Sequence, residues 1–591
     1  MKGFDVIKVK PAVKARNKFD LSRTHLTTMN FGEIVPLLSE EVVPGDKMDV
    51  KGDFFSRLAP LVRPTYGKFS FKTIAGYVPY HMLAADADAW FDGKTAWEGS
   101  TPLFRYFTML DLYTFFTNAA VSTTSGANSG NCDFSFVSTA GTAVYRVFTK
   151  AGKYYAKILN ALGYAIPAGM DLRTDSGWMT NCADVKLNAF PLLAFLKLYN
   201  DYMSQSQRFN TSQLSNYLNA IKYKRAVSGI WNNTNGNITG AGLVAMLSQV
   251  LLNYENDYFT SAWQSPNQAL ASTENVTSVS IPAFAGGALS GSVVENQYST
   301  HISMGSATNL SQRALDFLKS FDDWVRRNNY SGSRAVQQIY SRFGIKTSDF
   351  RDHYAHILGT DIMPVQVGDV TATADAGNAV LGDYAGKGIM TGSKAVSMQA
   401  DDYGILLILG YFTVTPMNAY GFDRKVLRST PLDFYNPEFD GLGADAISVG
   451  EYFADPTISA SSVYDTNVYG YTERYNAYRY GRDQITGEFR DYHNVAGDMN
   501  VWHTGRLMGS IREAGTLIAQ NTAVNTLPQT DSEYNRIFSV TNASGDTGAI
   551  DHFYLTARFN VDAIRPMLNL NQVVKLGEGD TVVPRNGNVI S

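Results

Sequence analysis

Gly404-Ile405-Leu406-Leu407-Ile408-Leu409-Gly410-Tyr411-Phe412-Thr413-Val414 is the longest apolar stretch of the chain. It is too short to cross a membrane as a helix, which takes about 20 residues. It also lacks the polar alternation of a strand with one wet face. A strand buried on both faces accounts for both properties. Strand signals flank it at a distance. Phe69-Ser70-Phe71-Lys72-Thr73-Ile74 alternates apolar and polar, and Ile550 to Phe559 reads as a late strand. Between Val468 and Tyr480, Tyr469, Tyr471 and Tyr475 share one parity while Tyr478 and Tyr480 take the other. A bulge or turn is therefore expected near Asn476.

Helix signals lie in the middle. Leu187 to Met203 reads as a helix despite Pro191. Leu310 to Arg327 places Ala314, Leu315, Leu318, Phe321 and Val325 at helical spacing. Arg334 to Phe343 follows, with Gly344 set to cap it. A length of 591 residues allows about four average domains, and large β cores with insertions can reach it as one. Aromatics make up 13% and there are 50 Gly, a mix that favours strands and tight turns and excludes a disordered chain. Strands far apart in sequence with mixed helical and loop insertions describe a β core, and viral jelly rolls and some lectins are built this way. Two cysteines, Cys132 and Cys182, allow one disulfide but point to a reducing compartment. Met1 to Lys10 has no apolar core, so no secretory signal is expected.

Charge is unevenly placed. The chain totals −4, which excludes a general polycation, yet residues 1–25 hold Lys2, Lys8, Lys10, Lys14, Arg16, Lys18 and Arg23 against Asp5 and Asp20. That segment, with Pro11 and little apolar periodicity, reads as an extended basic arm. Ala226 to Gln312 contains no Lys or Arg, and Leu112 to Tyr145 only Asp133 among charged residues. Such neutral polar stretches suit displayed or subunit-packed insertions and make poor phosphate sites. Catalytic patterns are missing: there is no G-x-S-x-G elbow, no H-E-x-x-H helix and no phosphate loop at Gly386-Lys387-Gly388, while Gly441-x-Gly443-x-x-Ala446 follows polar residues rather than a strand. Asp86, Asp88 and Asp92 resemble a calcium loop whose third and twelfth ligand positions, Trp90 and Trp97, cannot coordinate. His353 and His356 lack a third ligand. No catalytic group, metal or cofactor is expected.

Several segments, in order from residue 19 to about 503, resemble the major capsid protein of microviruses in its gokushovirus-like form. They are Phe19-Asp20-Leu21-Ser22, Thr27-Thr28-Met29-Asn30-Phe31-Gly32, Val35-Pro36 and Glu41-Val42-Val43-Pro44-Gly45-Asp46. Val78-Pro79, Leu198-Tyr199-Asn200-Asp201-Tyr202, Asp257-Tyr258-Phe259-Thr260-Ser261-Ala262 and Tyr340-Ser341-Arg342-Phe343-Gly344-Ile345 follow. Asp433 to Phe439, Gly470 to Tyr475, Tyr478-Arg479-Tyr480 and Ile485 to Arg490 complete the series. The chain departs from the pattern at Trp263-Gln264-Ser265-Pro266 and in the neutral segments after Tyr113 and Pro266.

The resemblance implies a mainly β chain with an eight-stranded viral jelly-roll sandwich and large helical and loop insertions. It implies a structural, non-enzymatic subunit that closes with copies of itself into a T=1 shell around circular single-stranded DNA. Residues 1–25 would form the arm and 26–591 one domain, with insertions around 112–240 and 265–308, the latter a threefold protrusion. DNA contacts are expected from Lys2, Lys8, Lys10, Lys14, Arg16 and Lys18, and from Arg474 and Arg479, where Tyr475 or Tyr478, with Arg482 nearby, would stack bases. Further partners would be a pilot or scaffolding protein and a host receptor, with assembly in the bacterial cytoplasm and no membrane insertion. The rival readings are a β-sandwich that binds or hydrolyses carbohydrate and, more remotely, an outer-membrane barrel.

Overall fold

The structure, a computed structural model, describes residues 16–96, 100–115, 121–123, 134–137, 143–165, 171–172, 182–183, 185–204, 213–255, 257–262, 291–296, 299–304, 340–341, 344, 354–371, 384–418, 421–429, 431–440, 444–452, 468–489, 499–505, 512–513, 516–517, 534–540 and 550–567.

Two antiparallel sheets dominate. The strands are β1 (Asn17–Asp20), β2 (Arg23–Met29), β3 (Ile34–Val42), β4 (Lys47–Leu58), β5 (Phe69–Pro79), β6 (His356–Pro364), β7 (Gln366–Thr371), β8 (Tyr384–Gln399), β9 (Gly404–Val414), β10 (Ala444–Ser448), β11 (Val468–Glu473) and β12 (Phe553–Arg565). One sheet runs β6-β5-β9-β3. The other runs β1-β12-β4-β8-β7, with β2 also paired to β12. The strand from Phe69 continues to Pro79, and the late strand occupies Phe553–Arg565.

Every residue of β9 except Tyr411 is buried, as its sequence requires. The two sheets meet through one set of its side chains. Leu406, Ile408 and Phe412 pack with Phe54 of β4, Phe71 of β5 and Phe553 and Phe559 of β12. Phe412 stacks on Phe553 at 4.0 Å between ring centroids, and Phe54 meets Phe559 edge-on at 5.8 Å. The other set, Ile405, Leu407 and Leu409, packs against helices inserted between β5 and β6. These are α1 (Lys150–Ala161), α2 (Phe190–Tyr202), α3 (Leu214–Lys222) and α4 (Gly240–Leu247). Pro191 sits in the first turn of α2, where its missing N–H breaks no helical hydrogen bond. Thr149 and Thr239 cap α1 and α4, each accepting from the backbone N–H three residues on at 3.0 Å.

The expected helix over Leu310 to Arg327 and most of Arg334 to Phe343 lie outside the described residues. Gly344 does take φ +68°, and its N–H donates to the Tyr340 carbonyl at 2.8 Å, the geometry of a glycine cap. Within 265–308 the described part is a hairpin, Gly291–Asn296 with Ser299–Met304. Among the described residues no helix is long and apolar enough to cross a membrane.

A buried charge cluster joins α1 to the sandwich. Lys157 places its ammonium 2.8 Å from Glu33 and 2.7 Å from Asp551. Asn30 donates to Asp551 at 3.0 Å through its side chain and to Glu33 at 2.9 Å through its backbone. Burial pushes the Glu33 carboxyl above its usual range, Lys157 opposes this, and Asp551 adds to it. Burial works against the Lys157 charge as well, but its two carboxylate partners outweigh that and raise its pKa.

Two expectations follow for unfolding in urea. Leu406→Ala and Leu407→Ala point to opposite faces of β9, yet each loses about 2–5 kcal/mol of stability, whereas Ile389→Ala, on an outward position of β8, changes it by about 1 kcal/mol or less. Because the folded chain holds the Glu33 proton more tightly than the unfolded chain, this site's contribution improves as pH falls toward the ordinary glutamate range and worsens as pH rises. The wild type should therefore gain stability relative to Glu33→Gln between about pH 8 and about pH 5. Parallel profiles would contradict the assignment.

Candidate nucleic-acid interface

Of the arm residues expected to meet DNA, Lys2, Lys8, Lys10 and Lys14 lie outside the described residues. Within the arm Asn17–Asp20 is strand, paired in register with β12 from Asn17 opposite Arg565 to Asp20 opposite Asp562, and β2 begins at Arg23. The exposed Arg16 rests its guanidinium against Gly45. Lys18 pairs with Asp562 at 2.9 Å, both largely exposed. Arg23 pairs with Glu40 at 2.9 Å. Exposed pairs of this kind are worth little, so a phosphate can replace the carboxylate at Lys18 at small cost.

Arg474 and Arg479 belong to another region, the end of β11, which pairs with β10. A turn forms there as the tyrosine parity requires. Tyr475 takes φ +61° and a single 3-10 turn spans Asn476–Tyr478. Tyr475 is buried, with Arg474 lying over its ring at 5.3 Å and over Phe439 at 5.0 Å. Tyr478 is half exposed, but the Arg428 guanidinium sits 3.9 Å from its ring centroid. Arg479 pairs with Asp440 at 2.7 Å and Glu473 at 3.6 Å. Arg482 donates to the carbonyls of Asn418, Gly421 and Phe422. In this structure the cluster holds three loops together, and a base or phosphate would have to displace those contacts.

The other singled-out polar groups are also engaged. Asp86 is fully buried, paired with the equally buried Arg105 and accepting from the Leu103 N–H at 2.8 Å. His356 opens strand β6 opposite Tyr77, so no helix presents it beside His353, which lies outside the described residues. Cys182 is a buried free thiol, and Cys132 lies outside the described residues. Among the described residues no three His, Cys, Asp or Glu side chains form a metal site.

Several of the resembling segments prove to be hydrogen-bonded corners. In Val43-Pro44-Gly45-Asp46, Gly45 takes φ +86°, and the buried Asp46 accepts from the Val43 N–H at 3.1 Å and pairs with Arg565 at 3.2 Å. Asp257 accepts from the Phe259 and Thr260 N–H groups at 2.9 and 2.6 Å and from the Asn418 amide at 2.8 Å. In α2, Tyr199 donates to the Leu251 carbonyl at 2.8 Å and Asp201 accepts from the Ala355 N–H at 2.9 Å.

Residues that sequence patterning did not single out lie on the outward face of the second sheet. β4 alternates strictly, burying Met48, Val50, Phe54 and Leu58 and turning Lys47, Asp49, Lys51, Phe55 and Arg57 outward. That alternation was legible in the sequence. What it shares a surface with, Tyr554 and Arg558, lies some five hundred residues away and was not.

Among the described residues the sandwich carries its helices over one sheet, and Asp46, Asp86, Asp257 and Arg482 are tied into corners and loop clamps. The chain belongs to the family described as capsid protein (F protein), which it matches over residues 7–102 and 166–573. It is similar to capsid protein VP1 of Chlamydia phage 1, 22% identical over 580 residues that cover 88% of this chain and 91% of that one. It is also similar to capsid protein VP1 of Bdellovibrio phage phiMH2K, 21% identical over 532 residues, 83% and 84% of the two chains. Its role is therefore that of a structural major capsid protein and not an enzyme, and the carbohydrate reading finds no support. Residues 103–165, outside the match, contain the neutral segment after Tyr113 that departs from the resemblance.

Proposed function

We propose that the chain is the coat subunit of a small single-stranded DNA phage, closing with copies of itself into a T=1 icosahedral shell around a circular genome. The observation that carries this is the family match across residues 7–102 and 166–573, supported by the two phage relatives. The strand order supports the jelly-roll form of the sandwich. Successive strands are dealt between the sheets: β3 to one, β4 to the other, β5 and β6 back, β7 and β8 across, β9 back and β12 across.

In this reading the basic arm, residues 1–25, faces inward and neutralises phosphates without reading sequence. The neutral insertion 265–308 faces outward at the threefold axis as the surface a host receptor would meet. A pilot or scaffolding protein and assembly in the bacterial cytoplasm complete the proposal.

Electron microscopy of the purified product, with nuclease digestion, tests it. Uniform closed particles that shield single-stranded DNA are expected, and monomers or dimers that never close would overturn the shell. Replacing Lys2, Lys8, Lys10, Lys14, Arg16 and Lys18 by Gln should leave particles that close but hold less protected DNA. The salt dependence of DNA binding should become shallower by about 0.7 in log–log slope for each phosphate that is no longer neutralised. Unchanged DNA content would remove the arm from the packaging role.

A further inference from the structure

We propose that the outward face of the six-stranded sheet, around Phe55, Arg57, Tyr554 and Arg558, is a binding platform for single-stranded DNA. The proposal deepens the packaging reading above and rests on it. Among the described residues the helices pack on the other sheet, and this face is open: Leu26 is 77% exposed, Tyr554 46%, Ile389 41% and Phe55 37%. The register places these side chains together. Thr28, Tyr554, Arg57 and Ile389 lie in one cross-strand row on β2, β12, β4 and β8. Leu26, Thr556, Phe55 and Thr391 form the next row, and Thr24, Arg558, Asp53 and Ser393 the third. The Arg57 guanidinium lies over the Phe55 ring at 5.4 Å.

Two features select the occupant. Arg57 and Arg558 have no carboxylate within ion-pair distance among the described residues; Asp53, the one acid in these rows, stands opposite Arg558 in the register and lies 3.8 Å from Lys51. Farther along the face Asp20, Asp562 and Asp49 lie in one cross-strand row, with Lys18 on Asp562 and Lys47 and Lys51 flanking Asp49 in the strand. A second copy docking here would bury two unpaired guanidinium groups, which is strongly unfavourable without matching anions. A nucleic-acid strand brings one anion per nucleotide together with flat rings. Two open aromatic side chains flanked by arginines on a sheet suit unpaired bases, whose faces are free to stack, and not a duplex. The basic arm joins this same sheet through β1, so both cationic groups serve one surface.

The test is binding of a fluorescein-labelled oligothymidylate of about 16 nucleotides to the full-length subunit, against a duplex of equal length, over a salt series. The wild type should prefer the single strand. Arg57→Gln with Arg558→Gln should weaken binding about tenfold or more and reduce the salt slope by about 1.4. Tyr554→Ala should weaken it about fivefold or more with the slope unchanged, because stacking releases no counterions. Thr391→Lys, a gain on the same face, should tighten binding and steepen the slope by about 0.7, which guards against variants that lose affinity by unfolding. Variants that bind like the wild type would overturn the platform while leaving the packaging role intact. Variants that fail to assemble yet bind DNA normally would make the face a contact between copies and would equally overturn it. A wild type that neither binds the oligonucleotide nor protects DNA in particles would overturn the platform and the packaging role together.

Discussion

Strand β9 has to be dry on both sides, and most of the architecture follows from that. No single partner layer can cover two faces of a sheet. One side therefore takes the second sheet, whose Phe54, Phe553 and Phe559 interdigitate with Phe71 and Phe412. The other takes helices supplied between β5 and β6, with Phe195, Leu198 and Ile158 against Leu407 and Leu409. The long insertion is thus a cover rather than an ornament. Close approach is built in at glycine: a Cβ on Gly76 would stand 2.6 Å from Leu198 of α2, and one on Gly410 would stand 2.6 Å from Leu37. The Lys157 cluster adds direction to this apolar packing, since it is satisfied only when α1, the Asn30–Glu33 turn and the approach to β12 are in register.

Apolar layers of this kind accept many side chains of similar volume, which accords with a family resemblance surviving at 22% identity. Corners are less tolerant. The turn at Gly45 needs a positive φ and a buried acceptor at Asp46. The start of the run at Asp257 needs one carboxylate that satisfies two backbone N–H groups and a side-chain amide together. The segments by which the sequence is recognisable coincide in these cases with places where backbone direction changes and hydrogen bonds have few substitutes.

Period and composition carried the parts of the fold that are local. The dry run at 404–414, the alternation from Phe69, the helix through Pro191 and the turn near Asn476 were legible because each is decided within a dozen residues. The arm was legible only as charge. That Asn17–Asp20 is strand depends on β12, five hundred residues later, which a basic segment does not announce. The site is harder still. Arg479 looks free in sequence, yet its partner Asp440 is 39 residues away, and Tyr475 looks like a stacking ring until Arg474 and Tyr435 are found packed around it. Exposure and pairing are tertiary properties, and charge patterning alone cannot assign them.

The uneven covering of the two sheets also gives the subunit a polarity. Among the described residues the helices thicken one side and the outer face of the six-stranded sheet stays exposed. A chain with a net charge of −4 does not attract a polyanion by its overall field, so any such attraction would require local concentration of basic groups. Its basic segment enters the fold at the edge of that sheet, and Arg57 and Arg558, without an ion-pair partner among the described residues, stand in its middle strands. On the same face Lys18 pairs with Asp562 and Lys51 lies near Asp53, exposed contacts that a competing anion displaces at small cost. Among the described residues Arg57 and Arg558 have no carboxylate within ion-pair distance, although Asp53 stands opposite Arg558 in the register, so whatever selectivity for phosphate this face has must come from the local excess of cations around Phe55 and Tyr554 rather than from the chain's total charge.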